Sequence, residues 1–199
     1  MSSQIPPTGY AILGLLSVQP NLSGYDLRKA VQQSVGFFWG ESYGQIYPAL
    51  QRLTAQRLIA PAKTKPAARG RQEYLITEAG RTRLREWLAL PFHNDPPRNE
   101  FALKLFFGHE AAPGVTLAHV RDVQERNRRM LETLEGIEAS VPKDGPPNPN
   151  LPYWLLTLSL GKALTKAALE WGEGAMTMLA KQEAADRTTS KGKGRSKEK

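Results

Sequence analysis

Apolar residues along this chain fall mostly at helical spacing, and the pattern breaks in only a few places. Ala11-Ile12-Leu13-Gly14-Leu15-Leu16 predicts a short, strongly apolar first helix, closed by a Pro20-Asn21 turn. Ser23-Gly24-Tyr25-Asp26 then has the spacing of a capping box, with Asp in place of Glu. Leu27, Val31 and Val35 follow at i, i+4 and i+8, which predicts one buried face for a second helix. Gly36 and Gly40 bracket Phe37-Phe38-Trp39, a connection rather than a helix. A third helix is predicted from about residues 42–44 through Gln56, with Ile46, Leu50 and Leu53 as its inner stripe. Gln45, Gln51 and Arg52 fall on other faces, and Pro48, lacking an N–H, belongs near the first turn.

After Leu58-Ile59 the period changes. Residues 59–64 and 72–76 are strand candidates, joined by the loop KPAARGR at 65–71, three of whose seven residues are basic. Thr77 then caps a fourth helix with Leu84, Trp87 and Leu88 on one face. Three helices, a basic two-stranded hairpin and a fourth helix make a winged helix-turn-helix. Its third helix is the size that fits a major groove, and its hairpin sets Arg and Lys beside a neighbouring backbone segment.

The second half is all helix. Residues 98–107 form a short amphipathic helix, and a long one is predicted from about Thr116 to Ser140. In it Val123, Met130 and Ile137 are seven apart, with Val120, Leu131 and Leu134 between them. The seam resembles a coiled coil, interrupted by polar Gln124 and Asn127. A last helix, predicted over about 152–183, aligns Leu156, Leu160, Leu164, Ala167, Trp171 and Met178. Long helices of this kind read as a dimerisation domain carried by Val123, Met130, Leu134, Ile137, Leu160 and Trp171; an intramolecular three-helix core is the alternative. The fold class is therefore mainly α. Its expected division is a winged helix-turn-helix over 1–92, a helical dimerisation domain over 93–183 and a disordered basic tail over 184–199.

Charge sharpens that division. The 199 residues carry a net +8. Residues 1–92 hold 11 Lys+Arg against 5 Asp+Glu, a net +6; residues 93–183 hold 10 against 12, a net −2; the tail holds 6 against 2, a net +4. Basicity thus belongs to the first domain and the tail, where a polyanion is the expected partner. With no cysteine, disulfides, Cys-based zinc or iron–sulfur sites and a cysteine nucleophile are excluded. The three histidines, His93, His109 and His119, form no metal motif, and neither a phosphate loop nor a G-x-S-x-G elbow occurs. No catalytic residue, metal or cofactor is expected, and no enzyme. The N-terminus lacks a signal-peptide pattern, and the longest apolar stretch, 153–161, is too short to span a bilayer before Lys162, so a soluble chain is expected.

YAILGLLS (10–17), SGYDL (23–27), SYGQIYPALQRL (42–53) and YLITEAGRTRLREWL (74–88) together resemble the PadR family of bacterial transcription regulators. The resemblance covers about the first ninety residues, with SYGQIYP and YLITEAG the most specific pieces. One departure is Arg57, where the family usually has Gly; a positive φ there costs about 1 kcal/mol. The resemblance implies a homodimer that binds double-stranded DNA, a palindrome-reading repressor of the cytoplasm and nucleoid. Tyr43, Gln45 and Tyr47 would face DNA from the third helix, with Arg52 further along. Lys63, Lys65, Arg69 and Arg71 of the wing would meet phosphates or the minor groove. Tyr47 has core packing, and Arg52 a solvated charge, as its plainer reading. The family includes regulators that respond to phenolic acids or other small apolar compounds, which admits a small-molecule effector, although the matched motifs contain no ligand-contact residues. A protein-interaction module without specific DNA binding is the other reading of the same fold.

Overall fold

Two consecutive prolines set the first helix. In the computed structural model, which describes residues 5–39, 43–62, 72–92, 98–142 and 146–195, Pro6 is the N-cap and Pro7 the first residue of α1 (Pro7–Val18). The missing Pro7 N–H is a donor that the first turn leaves unpaired anyway. Side chains are described throughout those ranges except at 37, 43 and beyond 185. The chain divides into two compact units, Met1–Asn94 and Asp95–Lys199.

In the first unit, α1 buries Ile12, Leu13 and Leu16 completely. Asn21 then adopts φ 63, a left-handed turn residue that Asn tolerates, and its N–H donates to the Tyr74 carbonyl at 3.1 Å. This turn starts a two-residue strand, β1 (Leu22–Ser23), which the sequence pattern does not predict. Ser23 is also the N-cap of α2 (Gly24–Gln33). Its hydroxyl accepts from the Asp26 N–H at 3.2 Å, and Asp26 Oδ2 accepts from the Ser23 N–H at 3.1 Å. The expected capping box is present with Asp as its acid. The expected buried face of α2 is shorter than predicted. Leu27 is fully buried, Val31 is half-buried, and Val35 belongs to a separate 3-10 turn because the helix ends at Gln33.

A 3-10 turn over Tyr43–Gln45 leads into α3 (Ile46–Ala55), so Pro48 sits in the first turn as expected. Ile46, Ala49, Leu50 and Leu53 are all 4% exposed or less and form the inner stripe. At the C-terminus of α3, Arg57 has φ 58. The Arg57 N–H donates to the Thr54 carbonyl and the Leu58 N–H to the Leu53 carbonyl, both at 2.9 Å. These two bonds form a Schellman motif with Arg where glycine is favoured. Strands β2 (Ile59–Pro61) and β3 (Glu73–Ile76) pair antiparallel, Ile59 opposite Ile76, and β1 pairs with the other side of β3. The sheet order is β1-β3-β2, three strands where the hairpin alone predicts two.

Thr77 caps α4 (Glu78–Leu88), its Oγ1 accepting from the Gly80 N–H at 3.0 Å. A Cβ on Gly80 would run into the Leu58 carbonyl oxygen, which explains a glycine in the first turn of this helix. Leu84 packs on the core and Trp87 stacks on Tyr10 with ring centroids 4.6 Å apart. Leu88, assigned to the same face by periodicity, is 67% exposed instead. It is the last helical residue and lies past the core that α4 covers.

In the second unit, α5 (Glu100–Phe106) is capped by Asn99, which accepts from the Ala102 N–H at 3.0 Å. Lys104, 2.8 Å from Glu100 and hydrogen-bonded to it, holds that carboxyl below its ordinary value. Two long helices, α6 (Val115–Ser140) and α7 (Leu151–Arg195), run antiparallel, as the contacts of Gln124 with 168–172 and of Leu134 with Gly161 require. Leu117, Val120, Gln124 and Leu134 are buried on α6. Glu138 pairs with Lys162, and Glu135 lies 3.9 Å from Lys166. The polar interruption at Gln124 is a contact rather than a gap. Its Nε2 donates to the carbonyls of Ala168 (3.0 Å) and Leu169 (3.1 Å), and a Cβ on Gly172 would occupy the same space as its amide.

Helix α7 continues to Arg195, through most of the segment that composition assigns to a disordered tail; residues 196–199 lie outside the described ones. No proline follows Pro152, and Ala184-Ala185 with the flanking Lys and Arg are good helix formers.

Arg57→Gly relieves the left-handed strain and should stabilise the first unit by about 1 kcal/mol, raising its melting temperature by several degrees. Gly172→Ala should cost about 2 kcal/mol in urea denaturation, because it displaces a buried amide from two acceptors. Adding Gln124→Ala to that variant should recover part of the loss by clearing the space.

Candidate nucleic-acid interface

The outer face of α3 is what the buried stripe leaves behind. With Ile46, Ala49, Leu50 and Leu53 turned inward, Gln45, Tyr47, Gln51 and Arg52 are exposed on the remaining arc. Their positions differ in a way that helical period explains. Gln45 and Arg52 are seven residues apart and share one flank, whereas Tyr47 and Gln51 are four apart and share another. The Arg52 flank borders a shallow apolar hollow lined by Ile5, Pro6, Gly9, Ala49, Leu53 and Gln56. Tyr47 leans the other way, onto the first turn of α2. A Cβ on Gly24 would lie 2.8 Å from its Cε1 and 3.2 Å from its Cζ. The ring nevertheless remains 59% exposed. One face of the Tyr47 ring therefore packs and the rest meets solvent.

Tyr43 stands in the 3-10 turn that enters α3, with only its backbone described. Lys63, Lys65, Arg69 and Arg71 lie outside the described residues, as does His93. The strands on either side of the wing loop are described, with Pro61 opposite Tyr74. Gly24, Tyr25 and Arg28 on α2 carry no functional signal in the sequence. SGYDL reads as a cap, and nothing local in it indicates that its glycine faces the third helix. Tyr25 is 56% exposed beside that contact, and Arg28 is exposed one turn further along.

The residues expected at a dimer contact separate into two groups. Leu134 is 5% exposed and packs within its own chain, and Val123, Met130 and Ile137 are half-buried. Leu160 and Trp171 belong to an uncovered stripe on α7. Tyr153, Leu156, Leu160, Leu164, Trp171 and Met178 fall on one helical face and are exposed by 46% at Trp171 to 70% at Tyr153. Phe101 of α5 meets Trp171 edge-on, with ring centroids 5.9 Å apart. Among the described residues, no three His, Cys, Asp or Glu side chains converge as metal ligands, and no helix is long and apolar enough to cross a membrane.

A three-helix core, a capped fourth helix, a paired wing base and a polar outer face on the third helix define a winged helix-turn-helix regulator. Residues 12–86 match the transcriptional regulator PadR-like family, and residues 97–180 match the virulence activator alpha C-terminal family. The chain thus carries a PadR-like transcriptional-regulator domain followed by a long helical C-terminal region. It is 29% identical to the negative transcriptional regulator PadR of Bacillus subtilis strain 168 over 182 residues, 86% of this chain and 97% of that protein. Its fold superposes on B. subtilis PadR in complex with operator DNA with a TM-score of 0.73 at 26% identity, covering 87% of this chain and 99% of that one. For B. subtilis PadR in complex with p-coumaric acid the TM-score is 0.69 at 25% identity, covering 90% and 99%.

Proposed function

We propose that this regulator is a homodimeric repressor of a palindromic operator, with α3 in the major groove and the basic wing on the flanking backbone. The observation that carries this reading is the outward set Gln45, Tyr47 and Arg52, held on a helix whose inner stripe is almost wholly buried. A rigid helix that exposes an amide, a phenol and a guanidinium suits base edges and phosphates together. Gln45 supplies the group that pairs with adenine, Tyr47 and Arg52 reach the backbone, and Lys63, Lys65, Arg69 and Arg71 neutralise phosphates from the wing. Tyr43 completes the entry to the helix.

The dimer would form through the α7 stripe, because a continuous exposed apolar face marks an association surface, with Val123, Met130 and Ile137 contributing from its border. Effector release by a phenolic compound is the regulatory reading, supported by the relative that binds p-coumaric acid. The protein acts on DNA by binding, without catalysis, in the cytoplasm. Its two units correspond to a DNA-reading domain and a dimerisation domain.

Operator fragments selected from the source genome provide the test. Gel shifts should show affinity for them falling steeply with salt, by a slope of about 0.9 per neutralised phosphate. Binding that is indifferent to salt, or equal on scrambled DNA, contradicts the reading. Gln45→Ala should narrow the gap between cognate and scrambled sites by about 1–3 kcal/mol. Arg69→Ala with Arg71→Ala should instead weaken binding to all sequences alike and reduce the salt slope. Leu160→Lys with Leu164→Lys should sediment as a monomer and lose most of its operator affinity, since each half-site then binds alone.

A further inference from the structure

We infer that Gly24 is a positioning residue for DNA recognition. Its missing side chain is the seat on which the Tyr47 ring rests, and that seat aims the phenol of α3. The inference rests on the regulator reading above.

Glycine at position 24 has no backbone reason. It is the first residue of α2, in helical conformation, and among the described glycines only Gly114 has a positive φ. Any L-residue fits that backbone, and most would favour the helix more than glycine does. The reason is steric. A Cβ there would lie 2.8 Å from Tyr47 Cε1, 3.2 Å from Tyr47 Cζ and 3.3 Å from Leu50 Cδ1. The two nearest atoms belong to the far end of a ring that is 59% exposed. The close approach therefore serves a surface side chain more than it serves the core.

The consequence is orientation. An exposed tyrosine on a helix chooses among staggered χ1 rotamers. The backbone at the first turn of α2 packs against the ring and supports one of them, which fixes the direction of the phenol. The Ser23–Asp26 capping box holds that turn rigid immediately below the ring. Fixing the ring before DNA arrives removes the ordering cost from the binding step.

Gly24→Ala tests this, because the ring can swing into solvent and spare the fold. The full-length variant should melt within a few degrees of wild type yet bind the selected operator about tenfold more weakly, the size of one misplaced contact. In a Tyr47→Ala background, where the space is empty, adding Gly24→Ala should change operator affinity less than twofold. Wild-type affinity in Gly24→Ala overturns the inference, as does an equal loss in both backgrounds. A large fall in melting temperature that persists with Tyr47→Ala would assign Gly24 to core packing through Leu50 and overturn it as well. Wild-type protein with no preference among DNA sequences would remove the regulator reading, a different result from a variant that binds as wild type does.

Discussion

The carbonyl oxygen of Leu58 holds the first unit together at the point where its functional parts meet. It accepts the Thr77 N–H at 3.0 Å and the Thr77 hydroxyl at the same distance, with Gly80 kept bare to allow the approach. Leu58 itself closes α3, through its N–H to the Leu53 carbonyl. One residue therefore joins the end of α3, the start of β2 and the cap of α4. The pairing of Ile59 with Ile76 begins immediately beyond it. The left-handed Arg57 is the strained link in this junction. Its neighbours keep it in place by bonding on both sides of it.

The second unit solves a different problem, which is to keep two long helices in one register while leaving a face open. Apolar seams alone permit sliding, because one methyl packs much like another. Gln124 removes that freedom, since its amide finds acceptors only at Ala168 and Leu169 and room only at Gly172. A buried amide that specifies register at some cost in stability is a known use of polar residues in helical seams. Its Oε1 is buried without a partner, which adds to that cost. With α6 fixed on one side of α7, the Tyr153–Met178 stripe is left facing outward.

Much of this was legible in the sequence for local reasons. The Ser23–Asp26 box, the Thr77 cap and the position of Pro48 depend on residues within a few positions of each other, and their chemistry allows few alternatives. The inner stripe of α3 follows from period alone. Strand β1 was hidden because its two residues carry no alternation and exist only through the partner Tyr74, fifty-two positions away. Leu88 was misread because periodicity says which way a residue points and not where the core ends.

The sequence by itself determined the helices, their caps and the polar set on the third helix, because each is decided by backbone geometry and nearest neighbours. Only the tertiary structure decided what those residues do in company. It put Gly24 beneath Tyr47, turned Gln124 from an interruption into a lock, and separated the buried Leu134 from the exposed Leu160. Those outcomes depend on the distance between surfaces that come together only when the chain folds, and steric exclusion at that range leaves no trace in local spacing.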